Sequence, residues 1–563
     1  MKKRMVLIGA CALCLAPWPL WAQVAPYHSP VDIPFLMSGS FGEPRPNHFH
    51  CGIDVKTQGV IGKRILAVSD GYVSRLTVGY DGFGNAAYVT HADGNVSVYC
   101  HLNAFIPALQ ERVRRQQYEE ESERVDVRLS PGEFPVEAGD LIAYSGNTGA
   151  SLAPHLHLEL HRQSDGARID PLPYFIRLPK DDMAPVAHGL RLYPCPGKGI
   201  VSGAGKPVTF TATAEADARV LKAWGQVGAA VWADDYMNGT QNKFGIRRIT
   251  LCVDGRQVFE SLMDEFMPEE NPLVNAWGDY GHYRRTKHWY LKAFVDPGNT
   301  LGMLHADENR GWVDIREERD YVFEYALEDL KGNRRVYRFT VRGERNDALL
   351  AEEAERERLR MASGARLMYD RPNVVQGPGM ELRIPVGALV KDDALRVRIE
   401  AQEDGVSNRY TLHDGDFPLA KRATLMLASR TPVAHPEQCY IESSRGYVGG
   451  TYADGWYSAA IRDLGESYAL AIDTVAPACR LLTSLGGRRI SRIRFSVSDK
   501  GSGIRSFKAY VDGQFVLFTA DGGEWTCKLA DTPLQPTGTT RRLTVKVTDR
   551  CGNGTSKEYD FIY

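Results

Sequence analysis

Eight of the 14 histidines lie between His28 and His161, and four of them sit in three short patterns that follow one another: His50-Cys51-Gly52-Ile53-Asp54, Tyr99-Cys100-His101-Leu102 and His155-Leu156-His157. Zinc takes imidazole and carboxylate ligands, and a catalytic zinc site keeps three protein ligands and one open position for water. The patterns offer His, Asp and His for a metal, with two histidines left for the water. Residues two apart on a strand share a face at roughly 6 to 7 Å, so one of His155 and His157 can ligate while the other stands near a bound water. On a straight strand His50 and Asp54 would be too far apart to share an ion, so the chain is expected to turn between them at Gly52. His101 ends a predicted hairpin, Ala86 to His91, a turn at Asp93-Gly94, and Val96 to His101. Strand alternation then puts Tyr99 and His101 on one face and Cys100 on the other. Each pattern alone is weak. Their order, framed by glycine-rich turns, points to a single metal centre.

The elements that hold these residues belong to a long chain. Its 563 residues imply three to five domains. With 68 Lys and Arg against 70 Asp and Glu, no global basic field argues for nucleic acid as a partner and no acidic excess argues for disorder. The 54 glycines, 30 prolines and short alternating apolar runs predict a mainly β architecture. Residues 1–22 have the basic start, short apolar stretch and small residues of a secretory signal peptide cut after Ala22. Lipid attachment at Cys11 is the lesser alternative. The expected location is therefore the periplasm, the cell envelope or the medium, with no transmembrane segment in the mature chain. The eight cysteines beyond the signal include no Cys-x-x-Cys, which argues against a structural zinc-thiolate site.

The N-terminal region, 23–178, ends in a polar linker near Pro179. Beyond it one repeat stands out: Gly245-Ile246 to Asp254-Gly255 matches Gly503-Ile504 to Asp512-Gly513. Each is a strand running into an Asp-Gly turn. Both copies follow an Ala-Pro pair (Ala184-Pro185, Ala476-Pro477) and end in a Gly-Asn turn (Gly332-Asn333, Gly552-Asn553). The expectation is a β-sandwich over 184–345, a second over 346–473 with a helical linker at its start, and a third over 474–563, immunoglobulin-like in type. Within the N-terminal region, 102–134 reads as a helical insertion, packed beside the sheet or acting as a lid. His91 and His161 read as surface strand residues.

From about Phe41 to Phe175 the chain resembles the lysostaphin-like zinc metallopeptidases, peptidase family M23. The framing residues carry the likeness with the histidines: Asp70-Gly71-Tyr72-Val73, Gly82-Phe83-Gly84-Asn85, Gly139-Asp140, Ser145-Gly146-Asn147-Thr148-Gly149 and Pro154-His155-Leu156-His157-Leu158-Glu159. The resemblance implies an antiparallel-sheet peptidase domain with core 41–175, one Zn2+ ion on His50, Asp54 and His157, and His101 and His155 acting on the water and the oxyanion. It implies hydrolysis of peptidoglycan stem peptides or cross-bridges. Some relatives place a tyrosine six residues before the first ligand, where this chain has Pro44; Arg45, Tyr99 and Asn147 are the candidates for oxyanion or substrate support. Cys51 and Cys100, each next to a site histidine on the side away from the metal, either pair behind the site or stay as buried thiols. Two other readings compete: a catalytically silent wall-binding or hydrolase-activating scaffold, and a zinc endopeptidase acting on proteins. The sandwiches offer surfaces for a protein partner.

Overall fold

The computed structural model describes residues 27–79, 82–212, 220–485 and 489–563; the signal-peptide expectation lies outside them. The N-terminal region contains, in order, strands β1 (Met37–Gly39), β2 (Pro44–Arg45), β3 (His48–Phe49), β4 (Gly52–Lys56), β5 (Arg64–Leu66), β6 (Gly71–Val78), β7 (Ala86–His91), β8 (Asn95–Cys100) and β9 (Leu102–Phe105). Helix α1 (Pro107–Glu119) follows, then β10 (Val125–Arg128), β11 (Pro135–Val136), β12 (Leu141–Ser145), β13 (His155–Arg162) and β14 (Arg168–Ile169). The main sheet is antiparallel and runs β1-β4-β13-β8-β7-β6-β10, and β5-β12-β9 make a smaller sheet. Alternation along β4 and β13 buries Ile53, Val55, Leu156 and Leu158 on one face, leaving Asp54 and His157 on the other. The predicted hairpin is present, with Gly94 at φ +83° between β7 and β8.

The 102–134 segment is less helical than expected. It opens with β9, paired to β12, and ends with β10, which extends the main sheet at β6. Between them α1 buries Leu109, Val113 and Gln117, a stripe at four-residue spacing.

The rest of the chain is also mainly β. Residues 186–343 supply a ten-stranded sheet with one parallel pair, Val220–Asp234 beside Arg334–Gly343. Two five-stranded sheets come next, between 373 and 472, and two four-stranded sheets between 478 and 562. Both repeat hairpins have the expected tight turn, with Asp254 and Gly255 at φ +50° and +79° and Asp512 and Gly513 at +49° and +84°. No helix among the described residues is long and apolar enough to cross a membrane.

The N-terminal domain does not stand apart from the ten-stranded unit. The two share one continuous core: Phe49 packs against Phe266 and Trp277, and Phe41 stacks on Phe266 at 5.1 Å. Strand Glu265–Phe266 even pairs with β14. The C-terminal unit touches the α1 region, where the Tyr510 hydroxyl donates to Glu121 (2.8 Å) and the Ala520 amide to Glu123 (2.9 Å). Burial pushes the Glu123 carboxyl up to about 8, against the Ala520 amide and Arg124. A carboxyl raised in the folded state holds a proton where the unfolded one has lost it. The folded state should therefore gain stability as pH falls from about 8 toward the ordinary glutamate value, and this contribution should stay level below it. Thermal unfolding between pH 8 and pH 5 should show that slope in the wild type and a shallower one in Glu123→Gln; an unchanged slope in the variant would refute the assignment.

Candidate metal centre and its histidines

The register of the main sheet assembles the site. Asp54 on β4 is directly opposite His157 on β13, which is opposite Cys100 on β8, so the three side chains share a face. His50 comes from the β2–β3 ribbon, which folds back so that Gly42 donates to the His50 carbonyl and the His50 amide to Glu43. Asn47 at φ +69° closes that ribbon. Gly52 is not the bend. It lies within β4 at an ordinary φ, and a Cβ there would sit 2.2 Å from the Leu158 carbonyl. Glycine is needed for the close approach of β4 and β13.

Three donor atoms converge. His50 Nε2 is 3.0 Å from Asp54 Oδ1 and 2.9 Å from His157 Nδ1, and His157 Nδ1 is 2.9 Å from Asp54 Oδ1. The far nitrogens of both rings are committed as donors, His50 Nδ1 to the Ser40 carbonyl (2.6 Å) and His157 Nε2 to Glu159 Oε1 (2.9 Å). With those tautomers, two imidazole lone pairs and a carboxylate oxygen face one another with no proton between them. A cation relieves that crowding, so the donor set fits zinc: two imidazoles and a carboxylate, each imidazole braced from behind. The charges agree. Burial alone would raise Asp54, but His50, His155 and His157 hold it well below the usual carboxylate range. Burial likewise opposes charge on His157, yet Asp54 and Glu159 push it up to about 9; the carboxylates that favour a proton there favour a metal ion in its place.

His101 and His155 flank this centre. Their ring centroids are 4.8 Å apart, and His101 is 5.7 Å from His157. His101 Nδ1 donates to the Thr148 carbonyl (2.8 Å) and His155 Nδ1 to the Ala153 carbonyl (2.8 Å), which leaves both Nε2 atoms with lone pairs. His155 Nε2 is 3.4 Å from Asp54 Oδ1. Burial, with His157 and His155 adding to it, lowers His101 to about 4, so it stays neutral at ordinary pH. Its placement departs from simple alternation. His101 has φ +60°, and this left-handed residue turns the ring from the face that Tyr99 occupies to the face of Cys100 and His157.

The other candidates divide. Arg45 Nη2 contacts Asp54 Oδ2 (3.1 Å) and Glu43 (3.3 Å), so it orients the Asp54 carboxylate. Tyr99 is fully buried on the opposite face, its hydroxyl accepting from the Val68 amide and from Ser97. This replaces the expectation of oxyanion support. Asn147 is exposed and accepts from Ser151 Oγ, which also contacts His155 Nδ1. Cys51 and Cys100 are free thiols. Asn271 donates to Cys51 Sγ (3.2 Å), while Cys100 lies on the metal-side face and packs with Ala86 and Val98. Burial, reinforced by Glu159, pushes the Cys51 thiol up to about 12 and the Cys100 thiol well above its ordinary value.

Several residues went unread in sequence. Glu159 is buried, accepts from His157 and His161 (2.5 Å) and forms an ion pair with Arg168 (3.3 Å), a braced carboxylate–histidine pair behind His157. His161 is part of that brace, and His91 is a buried link between the Asp70 carbonyl and Ser97; neither is the surface residue expected. The period-two spacing of His157, Glu159 and His161 was the available signal. Gly39 is opposite Asp54 on β1, and a Cβ there would meet Asp54 Oδ2 at 2.6 Å. Gly39→Ala should displace the carboxylate and lower zinc affinity by about 10- to 100-fold, the scale of losing an outer-shell partner, with an unchanged circular dichroism spectrum. Competition with a chromogenic chelator measures it, and wild-type affinity would show the close approach to be unimportant.

Residues 365–473 match the Zu5-like domain model. Among characterised sequences, the chain is 28% identical over 131 residues to DD-carboxypeptidase/endopeptidase Mpg of Neisseria meningitidis, covering 23% of this chain and 24% of that one. It is also 28% identical over 138 residues to an uncharacterized metalloprotease of Haemophilus influenzae, covering 24% and 22%. The chain thus spans about a quarter of the length of the curated relatives it matches. Solved structures that overlay on it include the catalytic domain of lysostaphin from Staphylococcus simulans, 24% identical over 25% of this chain and 91% of that one with a TM-score of 0.19. Another is a zinc containing peptidase from Vibrio cholerae, 23% identical over 25% and 37% with a TM-score of 0.19. The N-terminal domain of this chain is thus similar in sequence to metallopeptidases, in keeping with the M23 resemblance of its motifs.

Proposed function

We propose that this protein is an exported zinc endopeptidase that hydrolyses peptide bonds in peptidoglycan cross-links. The observation that carries the reading is the convergence of His50 Nε2, Asp54 Oδ1 and His157 Nδ1 beside two further histidines, His101 and His155, each anchored through Nδ1 on a backbone carbonyl. His50, Asp54 and His157 would hold one Zn2+ ion. What zinc supplies when bound to such a set is Lewis acidity, which polarises a carbonyl and makes a water more acidic. The chain's own residues do the rest. Arg45 and Glu159 keep Asp54 and His157 oriented. His101, neutral because burial lowers it, takes a proton from the attacking water at Nε2, and His155, held by Ala153, presents a second Nε2 to the reacting centre. In the net reaction water adds across the peptide C–N bond, giving a carboxylate and an amine. The name of the Neisseria relative, a DD-carboxypeptidase/endopeptidase, supports a cell-wall substrate.

Purified sacculi incubated with the protein should release soluble muropeptides whose masses report the bond cut, and release should stop with chelator and return with added zinc. His155→Ala should bind zinc yet release little. No zinc-dependent release from sacculi would overturn the proposal in favour of a wall-binding scaffold.

A further inference from the structure

A second acidic convergence lies far from the histidines in sequence. Asp181, Asp235 and Asp329 bring three carboxylate oxygens within 4.8 Å of one another. They come from three places: Asp181 from the segment that leaves the peptidase domain, Asp235 from the end of strand Val220–Asp234, and Asp329 from the turn after strand Asp320–Glu328. Asp329 accepts at Oδ1 from the amides of Lys331 and Asn333 and at Oδ2 from Asn333 Nδ2. Asp181 Oδ1 accepts from the Met183 amide. Asp235 is 5% exposed, its backbone is fixed by two hydrogen bonds to Phe244, and its Oδ1 is buried with no hydrogen-bond donor. Among the described residues none of the three pairs with a lysine or arginine. A buried carboxylate oxygen with no donor is costly, and two more carboxylates beside it add to the cost.

The internal repeat supplies a comparison within the same molecule. Asp473, Asp499 and Asp549 form the corresponding trio in the C-terminal unit. Asp473 and Asp181 each stand three residues before an Ala-Pro pair, and Asp549 and Asp329 each open a Gly-Asn turn. In the C-terminal copy every carboxylate has backbone donors. Asp473 accepts from the Val475 and Ser502 amides, Asp499 from Gly501 and Gly503, and Asp549 from Asn553. That trio is satisfied by the protein, whereas the first keeps one buried oxygen, Asp235 Oδ1, without a donor.

We infer that Asp181, Asp235 and Asp329 form a Ca2+ site that ties the segment leaving the peptidase domain to the ten-stranded unit. Three carboxylates suit a hard cation with oxygen ligands, and three chain segments meeting at adaptable spacing suit Ca2+ better than the strict octahedron of Mg2+. The site is independent of the histidine centre and of its chemistry.

Full-length protein, stripped of metal and reloaded with one equivalent of zinc, is dialysed against about 1 mM Ca2+, the range of extracellular sites, and its metals are counted by mass spectrometry. The wild type should retain one Ca2+ per chain and melt at a higher temperature than without Ca2+. Asp235→Asn should lose both effects while keeping its zinc, its circular dichroism spectrum and a calcium-free melting temperature no lower than the wild type's. Asp499→Asn should keep both. The proposal is overturned by absence of bound Ca2+ in the wild type, by equal binding in Asp235→Asn, by loss in Asp499→Asn alone, or by preference for Mg2+.

Discussion

Asp54→Ala should leave the protein folded, unable to retain zinc and inactive on sacculi. Asp54 is the one anionic donor among the three, and its two oxygens are divided between tasks: Oδ1 faces His50, His157 and His155, and Oδ2 is held by Arg45. Removing the carboxylate leaves two neutral imidazoles and frees Arg45 to place positive charge at the centre. The affinity loss should exceed the roughly 100-fold that losing an outer-shell partner costs, and hydrolysis should fall to background because the Lewis acid is gone. The fold should tolerate the change. Asp54 contributes nothing to the apolar face of β4, where Ile53 and Val55 pack, and alanine removes a buried charge without opening a core cavity. Zinc per chain by mass spectrometry, beside muropeptide release, checks both parts. Zinc retained at wild-type stoichiometry would show that Asp54 is not a ligand.

The grouping of His50, Asp54 and His157 was legible in sequence because each of its parts is local. His-x-x-x-Asp and His-x-His are short patterns on adjacent strands, and the register that brings Asp54 opposite His157 only has to align two segments already marked by their residues. The hairpin leading to His101 was legible for the same reason, through Asp93-Gly94. What escaped depends on contacts or backbone states that spacing does not encode. The left-handed conformation of His101 reverses the face that alternation assigns, and with it the expected surroundings of Tyr99 and Cys100. Gly52 reads as a bend in sequence, although its lack of a Cβ serves the approach of β13. Glu159 and His161 lie in plain view beside His157, but only the packed sheet shows them braced behind the ligand. The core shared across Phe49, Phe266 and Trp277 joins segments more than 200 residues apart, beyond the reach of periodicity. The repeat, in contrast, was legible down to its paired Asp-Gly turns, whereas the ten-stranded sheet of the first copy and the two four-stranded sheets of the second were not.

His101→Ala separates proton transfer from metal binding. His101 makes no contact within the ligand trio shorter than ring packing on His157, so zinc content should match the wild type. Its Nδ1 is anchored on the Thr148 carbonyl, and Thr148 is itself tied by its hydroxyl to the Leu102 carbonyl and to the Asn85 amide. The ring is thus positioned by the Gly-rich loops on both sides, which suits a group that must meet a water at a set place. Loss of a positioned general base costs about 10²- to 10⁴-fold in rate. The loss should appear in kcat with KM little changed, since the ring acts on the water and not on the peptide. The removed hydrogen bond to Thr148 costs about 1 kcal/mol, too little to unfold a domain whose core continues into the next unit. A matching fall in zinc content would make His101 a ligand or a structural support. Wild-type kcat with full zinc would pass the proton-transfer role to His155, the other histidine beside the centre.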